Sequence, residues 1–402
     1  MNRCRYRIAL TLTVLSALAC TAPAAEVRVV KSAGETTRLD VSGFSARGAA
    51  ASTFRETLIR DLQLSGWFDL RSSAPEFRLT GAAADNGERV EARCTVRDAA
   101  GQTVFAKRYQ SGASAARRLA HRVSDAVVKS LTGRPGIAST RIAFVGTRSG
   151  AKELYLCDAD GAGVRRITRD GAICVAPNWG PRASRLVYTS YARDFPDIHL
   201  LELASGRRRV IASYGGLNTG ADLAPDGRHI ALILSKDGNP DLYVKDMKSG
   251  ALRRLTRTAN AAEASPSWSP DGKHLVYVSD HSGRPHLYII PARGGRPRRF
   301  TSMGTENVAP DWGEYGWIAW SSRRGGRYRI ALANPSTGER REAGPADGAD
   351  YEEPSWARDG RHIVCTRTSG YRSALYRLDT VTGRSIPLVT ISGDWYTPAW
   401  SP

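Results

Sequence analysis

The chain is 402 residues long and 41% hydrophobic, enough for about two domains with real cores. Its net charge of +19 and pI of about 10.0 invite an anionic partner: nucleic acid, a membrane surface or an acidic polysaccharide. Beyond the N-terminus no stretch approaches the length of a membrane-spanning helix, which excludes a multi-span helical membrane protein.

Arg3, Arg5 and Arg7 precede an apolar run from Ile8 to Ala19, and Ala22-Pro23-Ala24 offers a small-x-small cleavage site. Residues 1–24 are expected to be a secretory signal peptide, cleaved near Ala24. Cys20 as a lipid attachment point is the rival reading, and Ala17 suits it poorly. An exported chain seldom meets chromosomal DNA, so no nucleic-acid partner is expected. Cys4 and Cys20 would leave with the leader. Cys94, Cys157, Cys174 and Cys365 show no CxxC or zinc spacing and read as small buried hydrophobes, with a disulfide still open in an oxidising compartment.

Residues 25–135 read as a small α+β domain. Glu26-Val-Arg-Val-Val30 alternates and is expected to be extended. Phe54, Leu58, Ile59 and Leu62 lie at helical spacing within Ala49 to Leu64, and Gly66 stops that helix. Phe77 to Thr80, Arg89 to Arg97 and Thr103 to Tyr109 read as strands joined at Asn86-Gly87 and Ala100-Gly101. Ser114 to Leu131 reads as a second helix, with Gly133 just beyond its end. Gly133-Arg134-Pro135-Gly136 reads as the linker.

Residues 136–402 are periodic. Trp179, Leu223, Trp268, Trp312, Trp356 and Trp400 recur every 44 or 45 residues, and so do Gly161, Gly206, Gly250, Gly294, Gly338 and Gly383. A period in the forties built of short strands predicts a β-propeller. In one unit, a strand ending at Trp268 is followed by an Asp271-Gly272 hairpin, a strand from His274 to Ser279, a third from His286 to Ile290 and a fourth from Pro297 to Phe300. The array opens on a second strand, Arg141 to Val145, and ends on a first strand, Thr397 to Trp400. Pairing of these two closes a ring of six four-stranded blades. Basic runs follow the last turn of most blades: Arg165-Arg166, Arg207-Arg208-Arg209, Arg253-Arg254, Arg298-Arg299 and Arg340-Arg341. They read first as protection of the outer strands against edge pairing, and secondly as attraction to an anionic membrane surface.

Chemistry-bearing motifs are scarce. His229, His274 and His362 occupy one repeat position and read as scaffold; no histidine has metal-ligand spacing, and there is no GxSxG elbow, P-loop or dinucleotide fingerprint. No catalytic residue, cofactor or metal site is therefore expected. The informative positions lie four to six residues before each landmark. There stand Asn218, Glu263, Glu306, Asn307, Asp350, Tyr351, Glu352, Asp394, Trp395 and Tyr396. Five carboxylates on four consecutive blades, with aromatics, suit a basic or polar protein segment at one mouth of the channel. Plain solvated loops and a cation held by these oxygens are the other readings. A hydrolase or lyase acting on envelope glycans or peptides would need two of Glu306, Asp350 and Glu352 about 5–9 Å apart. A sensor of envelope polyanions is a third class.

Glu26-Val-Arg-Val-Val30, Asp61-Leu-Gln-Leu-Ser-Gly-Trp-Phe68, the crossing Leu131-Thr-Gly133 to Thr140-Arg-Ile-Ala-Phe144, the Trp-Ser-Pro-Asp-Gly repeats and the terminal Pro398-Ala-Trp-Ser-Pro402 together resemble the TolB family, periplasmic propeller proteins of the bacterial Tol-Pal system. The resemblance covers nearly all of the chain after the leader. It implies a six-bladed propeller behind an α+β domain, a non-enzymatic adaptor and a periplasmic location. It implies that the channel mouth binds Pal, a peptidoglycan-associated lipoprotein. It implies that Glu26, Val27, Arg28, Val29 and Val30 contact the inner-membrane protein TolA, and that the system supports outer-membrane integrity and cell division. A TolB-like propeller with another envelope ligand is the alternative within the family.

Overall fold

A computed structural model describes residues 36–402, apart from positions 72 and 194. The expected signal peptide and the Glu26 to Val30 segment lie outside the described residues.

The first domain is a sheet covered on one face by two helices. Its elements are β1 (Thr37–Asp40), β2 (Phe44–Arg47), α1 (Ala49–Leu64), β3 (Phe68–Asp69), β4 (Phe77–Asp85), β5 (Arg89–Asp98), β6 (Thr103–Gly112) and α2 (Ala116–Thr132). The strand order is β3-β1-β4-β5-β6, with β2 also on β4. Phe54, Leu58 and Leu62 of α1 and Leu119, Val123 and Val127 of α2 are fully buried against Leu79, Val90 and Val96 of the sheet. Residue 48 lends α1 no side-chain cap; Asp85 of β4 does so instead, its Oδ2 accepting the Ala51 N–H at 2.9 Å. The helix α2 begins two residues later than its periodicity suggests, because Ala113–Ala115 forms a 3-10 turn. Strands β1, β2 and β3 were not expected. They pair in parallel, so no hairpin turn announces them.

Six four-stranded sheets follow. The ring closes as the repeat arithmetic requires: Trp395–Trp400 pairs antiparallel with Arg141–Gly146. Trp395 meets Phe144 and Tyr155 edge-on at 5.3 and 5.2 Å, and Trp400 Nε1 donates to Thr140 Oγ1 at 2.7 Å. The four described cysteines are free and buried, and burial pushes the thiols of Cys94 and Cys174 up to about 12.

The inner strands share a distortion. Ala176, Gly220, Ser265, Ala309, Glu353 and Thr397 have φ of 52°, 59°, 46°, 50°, 54° and 41°. Each marks a break in register with the second strand, a bulge in every blade. Just after it, one side chain reaches the next blade. Asp222 Oδ2 accepts the backbone N–H of Trp268 at 2.8 Å, Ser267 Oγ that of Trp312 at 3.0 Å, Asp311 Oδ2 that of Trp356 at 2.6 Å and Ser355 Oγ that of Trp400 at 3.0 Å. Trp179 Nε1 donates to the Ala399 carbonyl at 2.8 Å, and Asn178 Nδ2 to that of Ala221 at 3.2 Å. All six junctions are thus tied around the channel. Burial in its wall pushes the carboxyls of Asp222 and Asp311 up to about 8 and about 6.

The first domain sits on the end of the propeller where the landmark tryptophans lie. Arg377 donates to the Leu64 carbonyl at 3.0 Å, Arg358 to the Gly136 carbonyl at 2.7 Å, and Arg361 stacks on Trp67 while pairing with Asp379 at 2.7 Å. Gly66, at φ +69°, is where the two bodies touch most closely, because a Cβ there would lie 2.9 Å from both Arg361 and Asp379. The linker is pinned: Arg134 stacks on Tyr315 at 4.1 Å, and Asp125 accepts the N–H groups of Ala138 and Ser139.

Trp395→Ala is expected to destabilise the protein by about 3–5 kcal/mol, through lost burial at the closure, whereas Tyr371→Ala, at a fully exposed loop tip, should stay within about 0.5 kcal/mol. Denaturant melts of both check this, and equal midpoints would contradict the closure.

Candidate functional site

The first domain meets the propeller at its landmark end, through the first and last blades, and the opposite end of the channel faces away from it. That opposite end is built from the starts of the inner strands and from the loops between second and third strands. Alternation along each inner strand decides which side chains it shows. The position five before each landmark is turned away from the channel: Cys174, Asn218, Glu263, Asn307, Tyr351 and Trp395 are all between 0% and 2% exposed. The neighbours on either side, Glu306, Asp350 and Asp394, and Glu352 and Tyr396, are half-buried and line the opening.

The ten expected mouth residues therefore fall into two groups of five. Asn218, Glu263, Asn307, Tyr351 and Trp395 are pins of the scaffold. Asn218 accepts the Tyr214 N–H at 2.9 Å and donates to the carbonyls of Tyr214 and Gly216. Asn307 accepts Trp320 Nε1 at 2.7 Å and donates to the Met303 carbonyl at 2.9 Å. Glu263 accepts the hydroxyls of Thr258 and Ser279 at 3.0 and 3.1 Å, and burial pushes its carboxyl up to about 7. Tyr351 donates to Asp347 at 3.1 Å. These five lie beneath the surface of this face.

Four of the half-buried five are carboxylates and carry the electrostatics. Glu306 accepts Arg323 at 3.0 Å and the Tyr328 hydroxyl, and these bonds, the tyrosine's first, hold its carboxyl below the usual range. Asp350 accepts the Tyr328 N–H at 2.8 Å and Arg327 at 3.3 Å. Asp394 accepts the Ser373 N–H at 3.1 Å. Glu352 has no hydrogen-bond or ion-pair partner among the described residues. Burial, and then the neighbouring charges of Glu353 and Asp350, push its carboxyl up to about 7. Lys152 lies 5.5 Å over the Tyr396 ring. The opening is lopsided: Ile173, Leu217 and Ala262 stand on the other three blades where Glu306, Asp350 and Asp394 stand on these.

The sequence reading missed two features here. Arg323, Arg327 and Tyr328, on one hairpin, brace the carboxylates; the register Glu306↔Arg323 is the only signal of it. The second is apolar. Of the large hydrophobic side chains exposed among the described residues, Ile173, Tyr191, Phe195, Met303, Tyr371 and Ile391 all lie in segments at this end of the channel, and only Val210 and Tyr315 lie elsewhere. Phe195 is 63% and Met303 56% exposed.

At the opposite end, His121, Asp158 and Asp160 lie close enough to share an ion. The Arg117 guanidinium already stands among them, 2.9 Å from Asp160, 3.7 Å from Asp158 and 3.4 Å from His121 Nε2. Its fixed charge serves the acids as an ion would, and His121 Nδ1 is held by Asp61 at 2.7 Å. The cluster reads as a tie between the domains.

Glu352 carries a testable sign. Its folded-state value of about 7 exceeds the ordinary 4.5, so its stabilising contribution is complete below pH 4.5 and is lost as pH rises through 7. Glu352→Gln should melt with the wild type at pH 4.5 and above it at pH 8; a constant offset across that range would contradict the assignment.

The model of the TolB beta propeller domain matches residues 128–402. A Tol-Pal system protein TolB from Gluconobacter oxydans (strain 621H) is 36% identical over 326 residues, 75% of this chain and 69% of that protein. Another, from Desulfosudis oleivorans, is 32% identical over 201 residues, 50% of this chain; the match spans 45% of that relative's length. The crystal structure of TolB from Acinetobacter baumannii superposes with a TM-score of 0.80 at 25% identity, over 92% of this chain and 97% of that one. The chain belongs to the TolB family, with the six-bladed propeller that the repeat predicted and, before it, the α+β domain read from the helix and strand patterns.

Proposed function

We propose that this protein is a non-enzymatic, periplasmic adaptor of a Tol-Pal-type system, and that the free mouth of its propeller binds a Pal-like lipoprotein. The observation that carries this reading is the mouth itself. It is the end of the propeller that faces away from the first domain, and it gathers the exposed Ile173, Tyr191, Phe195, Met303, Tyr371 and Ile391 beside the carboxylates of Glu306, Asp350, Glu352 and Asp394. Apolar side chains around a charged opening combine the two kinds of contact that a protein interface uses. Glu306 and Asp350 are already braced by arginines, an arrangement that suits fixed recognition. Glu352, unpaired and crowded by like charge, would be relieved by a basic group from the partner. The names of the relatives, Tol-Pal system protein TolB, support the system to which the adaptor belongs; the role in outer-membrane integrity and cell division is part of the proposal and follows from the family resemblance.

The segment Glu26, Val27, Arg28, Val29 and Val30 is proposed to contact a TolA-like inner-membrane protein, once the leader is removed near Ala24. A short alternating segment ahead of a compact body can be ordered by a partner at small entropic cost.

Phe195→Asp and Tyr371→Asp, and separately Glu306→Lys with Asp350→Lys, should each weaken capture of the Pal-like lipoprotein by about tenfold or more without lowering the melting temperature by more than a few degrees. Undiminished capture by all of these folded variants would remove the mouth assignment. Deleting residues 26–30 should abolish capture of the TolA-like protein and leave the lipoprotein bound; loss of both, or of neither, would argue against two separate contacts.

A further inference from the structure

The first domain uses only one face of its sheet. Leu79, Val90, Ala92, Val96 and Phe105 point to the helices; the alternate residues point to solvent. The pairing register lays these out as rows across the sheet. Asp40, Arg78, Arg97 and Thr103 form one row. Thr80, Thr95 and Ala106 form the next, then Ser45, Ala82, Arg93 and Arg108, and last Arg47, Ala84, Glu91 and Gln110. Five arginines thus stand on one open face against two acids.

Two features of this grid have no role in the fold. Arg78 is directly opposite Arg97, and Arg93 directly opposite Arg108; like charges so placed destabilise a sheet. Asp40 lies 4.0 Å from Arg78, but Arg47, Arg93, Arg97 and Arg108 have no ion pair or side-chain hydrogen bond among the described residues. Edge protection accounts for Arg47 and Arg108 at most, and not for Arg93 and Arg97. Strand β5, which carries Arg93 and Arg97, lies inside the sheet between β4 and β6. The two arginine pairs are four residues apart along the strands, roughly 13 Å at about 3.4 Å per residue. Only Thr80, Thr95, Ala82 and Ala106 stand between and beside them, too small to hold a headgroup away.

We propose that this open face is a docking surface for the phosphate headgroups of an anionic membrane leaflet. A pair of guanidinium groups on adjacent strands offers parallel N–H donors that match phosphate oxygens, and a phosphate placed there removes the repulsion within the pair. The face carries no aromatic residue in these rows, so it lacks the stacking platforms of single-strand nucleic-acid binders and the anchors of protein interfaces. No helix among the described residues is long and apolar enough to cross a membrane, so the contact is peripheral. The basic runs of the propeller suit this role less well. They are distributed over five of the six blades around the ring, so no single plane meets them together. Several are also engaged: Arg207 with Glu202, Arg208 with Asp170, Arg254 with Asp241, Arg253 with the Ala292 carbonyl, and Arg341 against Trp317.

The test is co-sedimentation of the chain with phosphatidylcholine vesicles, with and without phosphatidylglycerol, at low and high salt. Binding is expected only with phosphatidylglycerol and only at low salt. Arg93→Glu with Arg108→Glu should weaken it by about tenfold or more, while Arg298→Glu with Arg340→Glu, on the propeller, should change it less than about threefold. The milder Arg93→Gln with Arg108→Gln should also weaken it and should melt at or above the wild-type temperature, which separates lost binding from lost fold. The proposal is overturned if the wild type ignores anionic vesicles, if the propeller variant loses as much as the sheet variant, or if a DNA oligonucleotide binds more tightly than the vesicles and depends on the same arginines.

Discussion

Everything in the propeller hangs on a bulge repeated in each inner strand. One residue per blade is held at positive φ, immediately before the proline, or before Ala221 in the one blade without it. Five of the six are not glycine, a conformation that costs on the order of 1 kcal/mol or more apiece. The next residues show what holds them there. The twist at the bulge presents Asn178, Asp222, Ser267, Asp311 and Ser355 to the neighbouring blade, and each bonds across the junction. The strain is local and the bonds are inter-blade, so closing the ring is what makes the bulges tenable. The same logic explains how buried carboxylates are tolerated: Asp222 and Asp311 each accept a backbone N–H that would otherwise be an orphan in the wall of the channel.

The bulge also sorts the mouth. Upstream of it each inner strand alternates cleanly, so Asn218, Asn307 and Trp395 turn into the blades while Glu306, Glu352 and Tyr396 turn toward the opening. All ten positions could be found in the sequence from the repeat, because the landmark tryptophans act as a ruler. Which five of them are exposed could not. That depends on the phase of the alternation relative to a distortion that leaves no mark of its own beyond a proline. The apolar rim was harder still. Phe195 and Tyr371 lie in loops whose length and composition vary from blade to blade, and nothing in Phe195-Pro196 or Gly370-Tyr371 says that both open on the same side as Asp350.

Charge is distributed rather than uniform. A chain of net +19 gathers carboxylates at one mouth and braces two of them with arginines from one hairpin. It spends other basic groups as ties between the two domains, at Arg117, Arg358, Arg361 and Arg377. It leaves a grid of arginines exposed on the first domain. The basicity visible in the composition thus serves different ends in the folded molecule, as brace, as inter-domain tie and as exposed surface.

The number of blades, the closure of Trp395–Trp400 on Arg141–Gly146, and the span of α1 from Ala49 to Leu64 were determined by the sequence alone. Each rests on a period or a stop signal that acts within a few residues or repeats at a fixed distance. The parallel strands β1, β2 and β3 were not, since parallel pairing joins segments without a turn between them. Which end of the propeller the first domain meets was decided by tertiary structure. Arg377 must find the Leu64 carbonyl, and Arg117 must find Asp160, before the domain is set against the landmark end and away from the other. Contacts between residues so distant in the chain depend on how two finished bodies fit, and no local pattern encodes that fit.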